Sequence, residues 1–293
     1  MTAVRIAVFA AGEKGRAFLA AMLEDNQSIV VYVRTYTQVG TLDDSAAKIE
    51  ELCAANGVRL HIGARNNVEP TSDVDLVFVV GWQYLLPSDP RMVVFHDSLL
   101  PRFRGFAPTV TALITGETVV GVTALRPAVE PDAGPILAQH TQRVSYPAKI
   151  RDVLKLLAES YVACARGVIS DYAAGTLSET AQDPAAATYS IWRGDEDYLI
   201  NWADDAALIC RTVDALGWPY PGARTRLGTA ALTILEAVPG PDLQFEITQP
   251  GKLWSLSDGA PTVVCGIGTV ILTDVRDNDG NPFRFERLRA RLG

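Results

Sequence analysis

Three runs of almost unbroken apolar residues, Val4 to Phe9, Ile29 to Val33 and Asp75 to Val80, alternate with stretches of helical texture. A strand that is apolar on both faces must be covered on both faces. This alternation therefore dictates a mostly parallel sheet between two layers of helix. The intervening patterns agree. Phe18, Leu19, Met22 and Leu23 follow a helical period, and Ser45 to Ala55 reads as a second helix. Met92 to Phe95 continues the sheet, Pro108 to Ile114 the helices, and Gly121 to Leu125 and Ile136 to Val144 add two strands. Ile150 to Ala174 is a long helix, with Leu154, Leu157, Tyr161, Cys164 and Val168 at core-facing spacing.

The texture changes at Gln182 to Ala187, where Pro184-Ala185-Ala186-Ala187 reads as a linker. We divide the chain into residues 1–184, an α/β domain, and 185–293, a smaller and mostly β one. In the second part, a helix from Asp204 to Leu216 precedes short strands near Arg224, Ala231, Val263 and Thr269.

Composition closes several doors. With 48% apolar and 20% charged residues the chain is an ordinary globular protein, and no apolar run approaches the roughly twenty residues of a membrane span. Met1 to Ala11 does not read as a signal peptide. Cys53, Cys164, Cys210 and Cys265 are scattered without a C-x-x-C pair, as buried reduced thiols of a cytoplasmic protein would be. His61, His96 and His140 lack metal-ligand spacing, so no metal is expected. The net charge of −8 and the absence of a Lys/Arg run disfavour nucleic acid as a partner. Gly12-Glu13-Lys14-Gly15 follows the first strand, but G-x-G-x-x-G is missing, which argues against a dinucleotide.

Chemistry concentrates in Val94 to Gly105, V-F-H-D-S-L-L-P-R-F-R-G, and in Pro131 to Ile136, P-D-A-G-P-I. His96 closes a predicted strand, and Asp132 sits in a Gly/Pro loop thirty-six positions later. A carboxylate beside an imidazole can fix its tautomer and stabilise its protonated form, the arrangement general acid/base chemistry needs. A lone His is more often structural and a lone Asp before Ala-Gly is an ordinary turn residue, so the spacing alone would decide little.

The words decide it. H-x-S-L-L-P, R-G, A-P, A-L-I-x-G-E, G-V-T and D-A-G-P-I, in this order, resemble the folate-dependent formyltransferases. Phe78 to Pro87 resembles that family's strand and loop beside the pterin, and Trp192 to Trp202 with Pro219 to Ala223 resembles the start of its C-terminal domain. The resemblance implies a Rossmann-like catalytic domain and an open-barrel-like C-terminal one. It further implies N10-formyltetrahydrofolate as co-substrate and His96 and Asp132 as catalytic residues. The folate would lie against Trp82, Gln83, Tyr84, Leu85, Leu86 and Glu130. Ser98 and Arg104 would shape the loop or meet substrate. Trp192 and Arg193 would form one wall of the acceptor site, or Trp192, Tyr198 and Trp202 would simply be buried in an interdomain seam.

One departure stands out. Most of the family carries Asn two residues before the His, where this chain has Val94. Removing a donor that stabilises charge developing on the formyl oxygen costs about 2.7–4 kcal/mol, so another donor is required or the reaction differs. Gln83 is our candidate substitute. Hydrolase-type domains of the family also carry an apolar residue at this position.

The leading expectation is formyl transfer to an amine of a small metabolite, first a nucleotide-linked amino sugar. A hydroxyornithine-type amino acid, hydrolysis of N10-formyltetrahydrofolate to formate and methionyl-tRNA formylation are the alternatives. The last is weakened because Thr35 to Asp44 carries no Lys or Arg. Oligomeric state is left open, a homodimer among the options.

Overall fold

The computed structural model describes residues 3–37, 45–63, 73–84, 86–87 and 89–293. Leu85, and residues 38–44 of the segment free of Lys and Arg, lie outside them. Two compact units are present: residues 1–109, 119–143 and 154–191 form the first, and 110–118, 144–153 and 192–293 the second.

The first unit is built on strands β1 (Val4–Ala10), β2 (Ser28–Thr35), β3 (Arg59–Ile62), β4 (Leu76–Val80), β5 (Met92–His96), the short β6 (Arg104–Gly105), β7 (Val119–Leu125) and β8 (Ile136–Arg143). A two-residue strand, β9 (Tyr189–Ser190), completes it. Its helices are α1 (Gly12–Leu23), α2 (Ser45–Asn56) and most of α4 (Ile150–Ala174); α3 (Pro108–Thr115) belongs mainly to the second unit. The main sheet has seven strands in the order β3-β2-β1-β4-β5-β7-β8. β3 to β5 pair in parallel, while β5–β7 and β7–β8 are antiparallel.

Both faces are filled, as the apolar strands require. Phe78 and Phe95 point to one face and pack their rings 5.4 Å apart against Phe18 of α1 and Tyr161 of α4. On the other face Phe9, Tyr32, Val77, Val79 and Met92 form a cluster that Trp82, Leu86 and Val94 cover. Because side chains alternate along a strand, Val94 and His96 share this second face of β5 and Phe95 does not.

Strand order reverses between β1 and β4, since β1 leads outward to β2 and β3 and the chain then returns beside β1. The crevice at such a reversal, beyond the carboxyl ends of the strands, is where open α/β sheets bind ligands. Gly81 makes the crevice tight. It sits at φ +67, and a Cβ there would lie 2.2 Å from the Ala11 carbonyl oxygen.

The second unit carries α5 (Ala206–Leu216) and strands β10 (Ala223–Leu227), β11 (Ala230–Pro239), β12 (Leu253–Ser257), β13 (Ala260–Val264) and β14 (Thr269–Arg276). They form an antiparallel five-stranded sheet, β10-β11-β14-β13-β12, as the mostly β expectation requires. Asp205 caps α5 by accepting from the Leu208 N–H, and Ile209, Val213 and Leu216 are buried. The edge strands β10 and β12 do not pair with each other, so there is no closed barrel. Residues 290–293 instead reach both edges. The Leu253 N–H donates to Ala290, the Leu292 N–H to Gly251, and Arg226 and Gly293 exchange backbone bonds of 2.8 and 3.0 Å.

Candidate active site

His96 is the last residue of β5 and is 8% exposed. Its Nε2 lies 2.8 Å from the Phe103 carbonyl oxygen. A carbonyl only accepts, so Nε2 carries the proton and Nδ1 presents its lone pair. Nδ1 faces Asp132 Oδ1 at 3.6 Å, beyond direct hydrogen-bond range. The tautomer is thus set by Phe103, not by the carboxylate as the sequence suggested. What the carboxylate can do is stabilise a proton once Nδ1 has taken it.

Asp132 lies in the loop between β7 and β8, which the Arg126 N–H closes onto the Pro135 carbonyl. Its backbone is left-handed, φ +57, a conformation Asp tolerates better than most residues. Oδ2 accepts the Gly105 N–H at 2.8 Å, which leaves Oδ1 toward the imidazole. The Asp132 carbonyl accepts from Gln182 Nε2.

The neighbouring carboxylate, Asp97, faces the other way. It is buried, holds Lys14 of α1 by an ion pair, accepts from the Tyr161 hydroxyl and lies 3.5 Å from Thr109 Oγ1. Removing the partner of a buried charge costs about 3–5 kcal/mol, so this cluster anchors the chain as it leaves β5.

The remaining expected residues fall in different places. The Ser98 hydroxyl is buried and donates to the Arg102 carbonyl, within the turn that follows His96. Arg104 is 3% exposed, and its guanidinium donates to Gln182 Oε1 at 2.8 and 3.2 Å and to Glu130 Oε1 at 3.4 Å. Glu130 also accepts from the Tyr189 hydroxyl. Trp82, Gln83, Tyr84 and Leu86 lie at the carboxyl end of β4, beside the strand-order reversal. The Trp82 ring packs on Phe9 and Tyr36 at 5.5 and 4.8 Å, and its buried Nε1 meets no acceptor among the described residues. The Gln83 side chain is exposed, while its N–H donates to the Tyr36 hydroxyl. Tyr84 packs edge-on against Tyr36.

Trp192 and Arg193 belong to the second unit. Trp192 is 69% exposed and Tyr198 is half-buried. Trp202 alone is buried, its indole N–H finding Thr225 Oγ1. Arg193 donates to Thr111 Oγ1 at 3.0 Å, its Nη1 is buried without a partner among the described residues, and burial pulls its pKa below the ordinary value.

Sequence reasoning missed three contributors: the Phe103 carbonyl, the Gly105 N–H and Gln182. The first two are backbone groups and carry no sequence signal. Gln182 stood in a stretch read as linker. Among the described residues no group of three or more His, Cys, Asp or Glu is placed to hold a metal ion, and no helix is long and apolar enough to cross a membrane.

Residues 4–160 match the family model described as formyl transferase, and residues 194–291 that of the formyl transferase C-terminal domain. The chain belongs to the formyl transferase family, the one its motifs resemble. Solved structures share the fold at low identity. One is the N-formyltransferase of Helicobacter canadensis in complex with folinic acid and dTDP-3-aminofucose, with a TM-score of 0.67 and 13% identity over 92% of this chain and 99% of that one. Another is WlaRD, a sugar 3N-formyl transferase in the presence of dTDP and 5-N-formyl-THF, with a TM-score of 0.66 and 14% identity over 95% of this chain and 99% of that one. HypX of Aquifex aeolicus in complex with tetrahydrofolic acid gives a TM-score of 0.63 and 19% identity over 97% of this chain. The chain spans only 46% of HypX.

Proposed function

We propose that this protein moves a formyl group from N10-formyltetrahydrofolate to an amine of a small metabolite, a nucleotide-linked amino sugar being the first acceptor. The observation that carries this is the held imidazole: the proton on Nε2 is committed to Phe103, the free lone pair is on Nδ1, and Asp132 Oδ1 stands across from it. The residues at the strand-order reversal suit a flat heterocycle, because a buried indole N–H without an acceptor among the described residues, at Trp82, lies among aromatic rings. The folate would supply the formyl carbon bonded to a nitrogen that leaves when protonated. Trp82, Gln83, Tyr84, Leu86 and Glu130 would hold it.

The chain's own part is proton handling. Nδ1 of His96 takes the proton that the amine nitrogen loses as it bonds to the formyl carbon. The imidazolium is stabilised by Asp132, whose other oxygen is tied to Gly105. The same proton is then returned to the departing nitrogen. Such positioned transfer is worth about 10²–10⁴-fold, and the orientation of the two reactants supplies much of the rest. The choice of acceptor is supported by the two structurally similar sugar N-formyltransferases, one holding dTDP-3-aminofucose, and the net charge of −8 weighs against tRNA.

Val94 favours a second reading, hydrolysis. The position where the family offers an amide donor is here packed on the apolar cluster of Phe9, Val79 and Met92. One experiment separates the two. N10-formyltetrahydrofolate is supplied with and without a panel of amino-sugar nucleotides and ornithine derivatives, and formate and formylated amine are quantified. Transfer predicts a product that depends on the amine, with formate below about a tenth of the best transfer rate. Equal formate with and without amine would make the protein a hydrolase.

A further inference from the structure

The two family models leave residues 161–193 between them, and the segment 182–190 within that gap grips both halves of the site. Gln182 Nε2 donates to the Asp132 and Gly134 carbonyls, both at 2.7 Å, and its Oε1 accepts twice from Arg104. Thr188 Oγ1 accepts the Phe103 N–H, and the Thr188 and Ser190 carbonyls accept the N–H groups of Arg104 and Phe106. The loop carrying Asp132 and the loop carrying His96's carbonyl partner are therefore fixed to the same short stretch of chain.

Building on the acid/base reading above, we infer that Gln182 is a positioning residue for formyl transfer, setting the separation of Asp132 from His96. Its amide uses both N–H donors and accepts two bonds on its oxygen, and such a satisfied node does not wander. Asp132 sits in a left-handed conformation that persists only where its surroundings over-determine it. Gln182 supplies that determination, holding the carbonyl of Asp132 and of the residue two positions on. It ties them to Arg104, whose neighbour Gly105 holds the carboxylate itself. Glutamate would keep the bond to Arg104 but set a carboxylate against two carbonyls. Methionine would keep the volume and lose every bond.

The test compares Gln182→Met and Gln182→Glu with the wild type. Hydrogen exchange at the Gly105 amide, read without any ligand, should accelerate about tenfold or more in both variants. With N10-formyltetrahydrofolate and the amine giving the highest wild-type rate, kcat should fall by roughly 10- to 100-fold while KM for the donor stays within about threefold. In an Asp132→Asn background the same changes should cost less than about threefold more. A role confined to anchoring Arg104 predicts instead that Gln182→Glu behaves as wild type, and that result overturns the inference. So does unchanged Gly105 exchange, an unchanged kcat, or a loss that multiplies fully with Asp132→Asn. If Asp132→Asn itself keeps full turnover, or no amine is formylated, the acid/base reading fails instead. The exchange measurement still decides whether Gln182 holds the loop.

Discussion

Replacing Gly105 by alanine tests how much the hold on Asp132 is worth. Gly105 sits at φ +98, its N–H donates to Asp132 Oδ2 at 2.8 Å, and a Cβ would fall 2.5 Å from the Ser190 carbonyl oxygen. That oxygen is a backbone atom bonded to the Phe106 N–H, so it cannot swing aside as a side chain would. The methyl must retreat by roughly 1 Å to reach ordinary contact, which lifts the Gly105 N–H from the carboxylate. The left-handed backbone adds about 1–2 kcal/mol of strain for an L residue. A hydrogen bond to a charged group is worth about 1.5–3 kcal/mol. Expressed at the transition state, that is a loss in kcat/KM of roughly 10- to 150-fold. Gly57→Ala is the control, because Gly57 has φ +65 and no described residue within 4 Å of an added Cβ. Urea unfolding should show both variants destabilised by at least about 1 kcal/mol, and initial rates should show only Gly105→Ala impaired. If Gly105→Ala keeps kcat/KM within about twofold of wild type, the carboxylate's position does not matter to the reaction.

His96→Asn and Asp132→Asn should each lower kcat about 10²–10⁴-fold, and the double variant should lie within about tenfold of the worse single one; fully multiplying losses would mean independent roles. Trp82→Phe removes the indole N–H that has no acceptor among the described residues, so calorimetry should show a folate analogue bound about two- to tenfold more weakly, and no heat with NAD; an unchanged Kd would place the heterocycle elsewhere. Burial pushes the thiols of Cys53 and Cys210 up to about 11 and those of Cys164 and Cys265 to about 12. At pH 8 iodoacetamide should therefore leave the native protein nearly unmodified and label all four thiols in urea, whereas native labelling at the rate of a free thiol would contradict that burial.

The parts of the fold that could be read from the chain are those in which burial writes a pattern. β1, β2, β4 and β5 are apolar on both faces and stand out as runs, and α4 shows its buried stripe. β3, Arg59 to Ile62, lies at the sheet edge without a single buried residue, and β12 has only Leu253 buried; neither left a run to recognise. In the site, His96 and Asp132 were visible because their surrounding words are specific. Which nitrogen bears the proton was not, since it depends on a backbone carbonyl seven residues away. Gln182 was invisible for a related reason. Its partners are Arg104 and two loop carbonyls about fifty positions back, and its own neighbours are Ala181 and Asp183, ahead of a Pro-Ala run.

The reach of residues 290–293 across the second unit bears on how the protein would fail. A free sheet edge offers unpaired N–H and C=O groups to any passing strand, and natural proteins usually cover or charge such edges. Here one short strap attends to both edges, bonding at Arg226 by β10 and at Gly251 and Leu253 by β12. Leu292 is 2% exposed, and Gly251, at φ +83, lets the strap approach so closely that a Cβ would sit 2.2 Å from its backbone. Peeling the strap away would uncover two adhesive edges in one event, next to the half-exposed Trp254. Damage to these four residues would then be felt first as self-association, well before the sheet itself melted.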